Sequence, residues 1–76
     1  MVADELRKLL HAVPFGPFTV FLPSEKSFRV PHSEFALLTP NGRTMVVSQN
    51  ESDAVDILDV PLITRVLVEA QHQTDS

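Results

Sequence analysis

The sequence contains no cysteine, and this absence removes two of the usual reinforcements of a small domain. Disulfide bridges and thiolate metal sites are both excluded. The chain of 76 residues has room for one domain, and a single core of this size supplies only about 3–5 kcal/mol of net stability. Self-association is therefore the reinforcement that the composition favours.

Basic residues and long apolar runs are also scarce. Lys and Arg together number 6 against 10 Asp and Glu, which gives a net charge of −4. A nonspecific binder of duplex DNA is normally basic, so we expect no duplex DNA partner. No run approaches the ~18 apolar residues of a membrane span, and Asp4 and Glu5 are unlike a signal peptide. We expect a cytoplasmic protein without membrane association.

The first element that the residues do predict is a helix over residues 4–13. Four apolar residues recur at helical spacing and form one stripe: Leu6, Leu9, Leu10 and Val13. Asp4 is a suitable N-cap. Pro14 ends the helix, because proline disfavours the helical region for the residue before it.

Beyond Pro17 the pattern changes to short runs of β-branched and aromatic residues, which predict strands. The predicted strands cover residues 17–22, 27–30, 35–39, 44–48, 54–59 and 64–69. The clearest turn is Thr39-Pro40-Asn41-Gly42-Arg43, where proline suits the first central position and glycine the left-handed position. A tight 3₁₀-like turn is predicted within residues 59–63, and residues 70–76 are expected to fray.

The order of these elements predicts the fold class. No helix lies between strands to serve a parallel crossover, so the expected fold is mainly β with one N-terminal α-helix. The strands should form a small, antiparallel, strongly bent SH3-like or Sm-like barrel. Several strands are apolar on both faces, as at Val46 beside Val47 and Ile57 beside Leu58. The N-terminal helix could cover part of the second face, and another subunit could cover the rest.

Several stretches carry a resemblance to known proteins. The segments PFGPFTVFL, VPHSEF and PNGR resemble a group of small bacterial proteins that share a V-P-H-x-E-F corner and a P-x-G-R turn. This resemblance covers nearly the whole chain and implies no known activity.

The architecture is similar to the Sm-like barrels, which include the bacterial Hfq family. Residues 27–38 would be one strand bent at Pro31–Phe35, and Pro61-Leu62-Ile63 would precede the closing strand. The resemblance implies ring-like or dimeric association through strand edges. The Hfq element that contacts RNA is Tyr-Lys-His, whereas residues 59–63 here contain neither lysine nor histidine. RNA binding is therefore not carried over to these positions.

The corner Pro31-His32-Ser33-Glu34-Phe35 contains the residue types of a hydrolase or a metal site. Neighbouring residues of an extended segment point to opposite faces, however, and no G-x-S-x-G elbow is present. The pattern instead predicts a bend, in which Pro31 stops the ladder and Phe35 packs into the core. His32 and Glu34 are kept as a candidate corner site, and no catalytic residue is assigned.

The remaining candidate sites concern anions and metals. Arg29, Arg43 and Arg65 end strands or flank turns, and on a common rim they would contact an anion or RNA. Asp53, Asp56 and Asp59 are expected to alternate faces of a strand. The histidines at positions 11, 32 and 72 show no H-x₃-H spacing. We therefore expect no metal site and no cofactor.

Three hypotheses about function follow. The first is a non-catalytic small β-barrel that self-associates as a homo-oligomer and acts as an interaction module. The alternative is an Sm-like RNA-binding protein that uses the arginine rim. The third is a hydrolase or metal enzyme at His32 and Glu34.

Overall fold

Within the part of the chain that the structure describes, alternating short apolar runs and turn residues form six strands after one helix. The computed structural model describes residues 3–48 and 53–69. The helix α1 spans Ala3–Leu10, and the strands are β1 (Phe18–Leu22), β2 (Lys26–Val30), β3 (Ala36–Leu38), β4 (Thr44–Ser48), β5 (Val55–Asp59) and β6 (Arg65–Val68). The predicted class, mainly β with one N-terminal helix, is confirmed. The tail that was expected to fray, residues 70–76, lies outside the described residues.

The apolar stripe of α1 explains how the helix packs. Leu6 and Leu10 are buried, and Leu9 packs against the core from a partly buried position. The prediction that the helix continues to residue 13 is wrong, because it ends at Leu10, and Val13 is 95% exposed. Pro14 disfavours helical geometry at Val13, so the last turn that would have buried this side chain does not form.

The six strands form two antiparallel sheets of three strands each. Sheet A has the order β2-β1-β6, and sheet B has the order β3-β4-β5. The predicted bend separates them, since a 3₁₀ turn at Ser33–Phe35 lies between β2 and β3. The described strands therefore do not form the single closed barrel that the sequence suggested. The antiparallel arrangement and the bend are both present.

The turn between β3 and β4 has the predicted chemistry. The Gly42 N–H donates to the Thr39 carbonyl at 2.8 Å, and Gly42 adopts a φ of +75°. The Arg43 N–H donates to Asn41 Oδ1 at 3.0 Å. The predicted 3₁₀ turn before the last strand is also confirmed, at Val60–Leu62. It is closed by the Ile63 N–H, which donates to the Val60 carbonyl at 3.0 Å.

The core lies between the inner faces of the two sheets and the apolar side of α1. Its buried members come from the helix, from both sheets and from the connection between β5 and β6: Leu6, Leu10, Phe18, Val20, Val30, Met45, Val47, Leu58, Val60 and Ile63. Arg29 points away from this core, as the alternation along β2 predicts, because Val30 is fully buried and Arg29 is exposed. The side chains that alternate with these core residues along the strands therefore lie on the outer faces of the two sheets.

Candidate functional site

The corner with His32 and Glu34 is built as a backbone turn. The Phe35 N–H donates to the His32 carbonyl at 3.0 Å, and the Ala36 N–H donates to the Ser33 carbonyl. Phe35 packs against the core, and its ring lies 5.9 Å from the His32 ring. His32 and Glu34 are exposed. Glu34 lines a pocket of about 140 Å³ together with Leu37 and Val46, and His32 does not line this pocket.

Arg29 is engaged by a neighbour that lies 40 residues further along the chain. Its guanidinium donates Nε–H to Glu69 Oε2 at 2.6 Å and Nη2–H to Glu69 Oε1 at 2.9 Å. These hydrogen bonds raise the pKa of Arg29 and lower the pKa of the Glu69 carboxyl. A bidentate pair uses the two donors that a phosphate would otherwise take.

Arg65 and Arg43 lie in different places. Arg65 covers the ring of Phe21, with its guanidinium carbon 4.2 Å from the ring centroid. Arg65 and Phe21 are cross-strand partners on the outer face of sheet A, and Arg29 lies on the same face. Arg43 instead follows the turn at the end of sheet B, where its carbonyl accepts the Val60 N–H at 2.9 Å. Sheet A thus holds Arg29 and Arg65, and Arg43 belongs to the other sheet.

The carboxylates of β5 diverge, as their spacing predicts. Asp56 is paired with the buried Val47, and Asp59 is paired with Thr44 on the opposite face. Asp53 precedes the strand and is exposed. Within residues 3–48 and 53–69, no three His, Asp or Glu side chains are grouped so that they could hold a metal ion.

An apolar row crosses the outer face of sheet B. Leu37, Val46 and Ile57 are cross-strand partners, so their side chains lie side by side on one face. Leu37 is 64% exposed and Ile57 is 71% exposed. Val55, on the same face of β5, is 53% exposed. We call Leu37, Val46, Val55 and Ile57 the apolar row.

The sequence carried a signal for part of this row. Val46 beside Val47 and Ile57 beside Leu58 showed that both faces of these strands are apolar. The sequence does not assign Leu37 to this face, because the run Phe35-Ala36-Leu37-Leu38 shows no alternation between apolar and polar residues. Only the register of β3 against β4 places Leu37 beside Val46.

Comparisons with protein families, with curated proteins and with solved structures find no match to this chain. No helix in the described part of the chain has the length and apolarity that a bilayer crossing requires. Function must therefore be argued from the surfaces of this molecule.

Proposed function

We propose that this protein is a non-catalytic interaction module that self-associates through the apolar row on sheet B. The observation that carries the proposal is the direct cross-strand alignment of Leu37, Val46 and Ile57, with the two outer side chains well exposed. A contiguous apolar surface on a small domain is typical of an interaction site. A chain without cysteine also gains most from association.

The geometry of the row supports a second copy of the chain as the partner. Val46 lies on the central strand, with Leu37 on one side and Ile57 on the other. A two-fold axis that lies between two facing copies of sheet B, over Val46 and parallel to the strands, would set Leu37 of one copy against Ile57 of the other. An isologous interface requires this reciprocity, in which each residue meets the residue that it faces in return.

The size of the surface indicates a weak dimer. Three strands spaced about 4.8 Å apart, each rising about 3.4 Å per residue, give a face of roughly 15 by 15 Å. The total area buried would then lie below about 1,000 Å², the range of transient contacts. We expect a dissociation constant in the micromolar range, and a dimer that dissociates on dilution.

Opposite charges introduced at Leu37 and Ile57 test the proposal. Leu37→Glu and Ile57→Lys should each weaken dimerisation by at least about a hundredfold in sedimentation velocity, since each substitution is present in both copies and burial of one such side chain contributes about 1.5–3 kcal/mol. The double variant should recover part of the affinity, because each glutamate would meet a lysine of the other copy. Leu67→Lys is the matched control, on the outer face of sheet A, where Leu67 is 52% exposed.

Two outcomes would overturn the proposal. One is a strict monomer at high micromolar concentration. The other is association that Leu37→Glu and Ile57→Lys leave intact while Leu67→Lys abolishes it.

For the finer architecture, we propose an open relative of the Sm-like barrel. Residues 26–38 then act as one strand bent at Ser33–Phe35, which would link β6-β1-β2 to β3-β4-β5. In this arrangement β5 and β6 are the outer strands, so their free edges could extend an assembly that begins at the apolar row. Substitutions that disrupt contact through the apolar row would leave pairing of these edges unaffected. They therefore distinguish association through the apolar row from association through strand edges.

The RNA-binding alternative has less support from the geometry. Arg29 is held by Glu69, Arg65 is stacked on Phe21, and Arg43 lies at the end of the other sheet. Filter binding with short single-stranded RNA at low salt tests it, because phosphate contacts are strongest there. Binding that Arg29→Gln and Arg65→Gln abolish would favour this alternative over a pure protein–protein module.

A further inference from the structure

A cleft of about 280 Å³ lies between α1 and the strand β3. Its apolar wall is made by Leu10 of the helix and by Leu37 and Leu38 of the strand. Its polar wall is made by Arg7, His11 and Ser33, whose side chains can all donate hydrogen bonds. The cleft therefore combines an apolar surface with a rim of donors, as small-molecule sites commonly do.

Arg7 is held in position at the edge of this cleft. Its Nη2–H donates to the Pro40 carbonyl at 2.9 Å, and its Nη1–H donates to Asp4 Oδ1 at 3.2 Å. The side chain is still 38% exposed. A guanidinium has five N–H donors, so donors remain for a ligand after these two bonds. A fixed guanidinium binds a carboxylate at a smaller entropic cost than a mobile one.

The side chains that line the cleft in the described part of the chain include one cation, Arg7, and no carboxylate, although the net charge of the protein is −4. Lys8 adds a second cation on the exposed side of α1, next to Arg7. Asp4, the acidic group beside them, is already paired with Arg7. An anion approaching this side of α1 therefore meets donors and cationic groups.

We propose that this cleft binds a small organic carboxylate, with its oxygens at Arg7 and its apolar chain against Leu10, Leu37 and Leu38. The volume is near the lower limit of small-molecule sites and suits a ligand of about six to ten non-hydrogen atoms. Ligands of this size bind with dissociation constants of about a millimolar or somewhat tighter. The cleft shares Leu37 with the apolar row, whereas Arg7, Leu10 and Leu38 belong to the cleft alone.

The test uses the full chain and hexanoate as the probe, followed by amide chemical shifts in a ¹H–¹⁵N spectrum. We expect saturable shifts at Arg7, His11, Ser33 and Leu38. Hexanol and hexylammonium have the same chain length and should bind at least tenfold more weakly. Acetate and inorganic phosphate should also be weaker, since they lack the apolar chain. Equal binding of hexanol, or of phosphate, would overturn the proposal.

Variants locate the site and separate it from self-association. Arg7→Gln should weaken hexanoate binding at least tenfold. Arg7 also donates a hydrogen bond to the Pro40 carbonyl, so its replacement could disturb the turn. We therefore also test Lys8→Gln together with His11→Gln, at two exposed positions. This double variant should weaken hexanoate binding severalfold without changing the fold. Arg43→Gln, on the turn itself, is the matched control and should leave binding unchanged. Ile57→Lys should dissociate the dimer and retain hexanoate binding. Unchanged hexanoate binding in Arg7→Gln and in the double variant of Lys8 and His11 would contradict the proposed site.

Discussion

Among single residues, Gly42 connects the helix to sheet B. Its φ of +75° is the left-handed conformation that the turn requires. A Cβ at this position would lie 2.5 Å from the Ala3 Cβ, so the missing side chain also lets the helix approach the turn. Arg7 strengthens the same contact through the Pro40 carbonyl. The absence of a side chain at Gly42 thus permits both the left-handed turn and the close approach of α1.

Replacement of Gly42 should therefore be costly. Gly42→Ala combines left-handed strain of about 1–2 kcal/mol with a displacement of α1, and we expect a loss of roughly 2–3 kcal/mol in unfolding free energy. For a domain of this size that lowers Tm by about 10 °C or more. Thermal unfolding followed by circular dichroism measures it. Gly16→Ala is the control, because Gly16 does not adopt a positive φ, and an equal loss there would contradict the account.

The Arg29–Glu69 pair predicts a pH dependence. The hydrogen bond from Arg29 lowers the folded-state pKa of Glu69 below its ordinary 4.5. The pair therefore stabilises the fold above about pH 4.5, and this contribution is lost as the pH falls through the lowered pKa. Carboxyl ¹³C titration should show the low pKa in the wild type and its return toward 4.5 in Arg29→Gln. Arg43→Gln should leave it unchanged, and a Glu69 pKa that does not respond to Arg29→Gln would refute the pairing.

For Arg29 and Arg65, the sequence predicts which face of a strand the side chain occupies but not the partner that it contacts. The alternation along β2 is sufficient to place Arg29 on the outer face of sheet A. Its capture by Glu69 could not be predicted, because the partner is 40 residues away and is brought near only by the pairing of β1 with both β2 and β6. The same holds for Arg65 on Phe21.

At the scale of elements, the β1–β2 hairpin contains backbone strain. Ser24 and Glu25 have φ values of 68° and 64°, in the left-handed region that costs residues with a Cβ about 1–2 kcal/mol. They lie in the tight connection Pro23–Glu25, between the paired residues Leu22 and Lys26. Because Leu22 pairs with Lys26, the connection between the two strands is limited to Pro23–Glu25. The register of the strands therefore imposes the strained conformations.

Two serines of this hairpin should respond in opposite directions to the same change. Ser24→Gly relieves left-handed strain and should stabilise the fold by about 0.5–1 kcal/mol after the entropic cost of glycine. Ser27→Gly lies within β2 and should destabilise it by about 0.5–1 kcal/mol. Urea unfolding of both variants provides the comparison. Destabilisation of similar size in both would show that the loop is unstrained.

Elements with local chemical signals were predictable. The turn at residues 39–43 followed from proline, asparagine and glycine in the right order, and the 3₁₀ turn at Val60–Leu62 followed from Pro61 within a short apolar segment. The last turn of the helix was not, because the apolar spacing of Val13 suits a helix that Pro14 does not allow. The apolar periodicity predicts burial of Val13, but the helix ends before this residue.

At the scale of the molecule, the sequence predicted antiparallel strands and a bend but not how the strands divide. The 3₁₀ turn at Ser33–Phe35 separates two sheets, and this separation exposes the outer face of sheet B with its apolar row. Whether a bent strand keeps one continuous ladder depends on hydrogen bonds between distant strands, which no local pattern reports. The two-faced apolar strands nevertheless pointed to an outer face that needs a cover.

The most direct measurement is an isotope-filtered NOESY spectrum of a millimolar mixture of ¹³C-labelled and unlabelled protein. Only contacts between different copies give cross-peaks in this experiment. A two-fold interface centred on Val46 predicts cross-peaks between the Ile57 methyl groups of one copy and the Leu37 methyl groups of the other, and their loss in Ile57→Lys. Intermolecular cross-peaks from Leu67 on sheet A instead, or none at millimolar concentration, would contradict self-association through the apolar row.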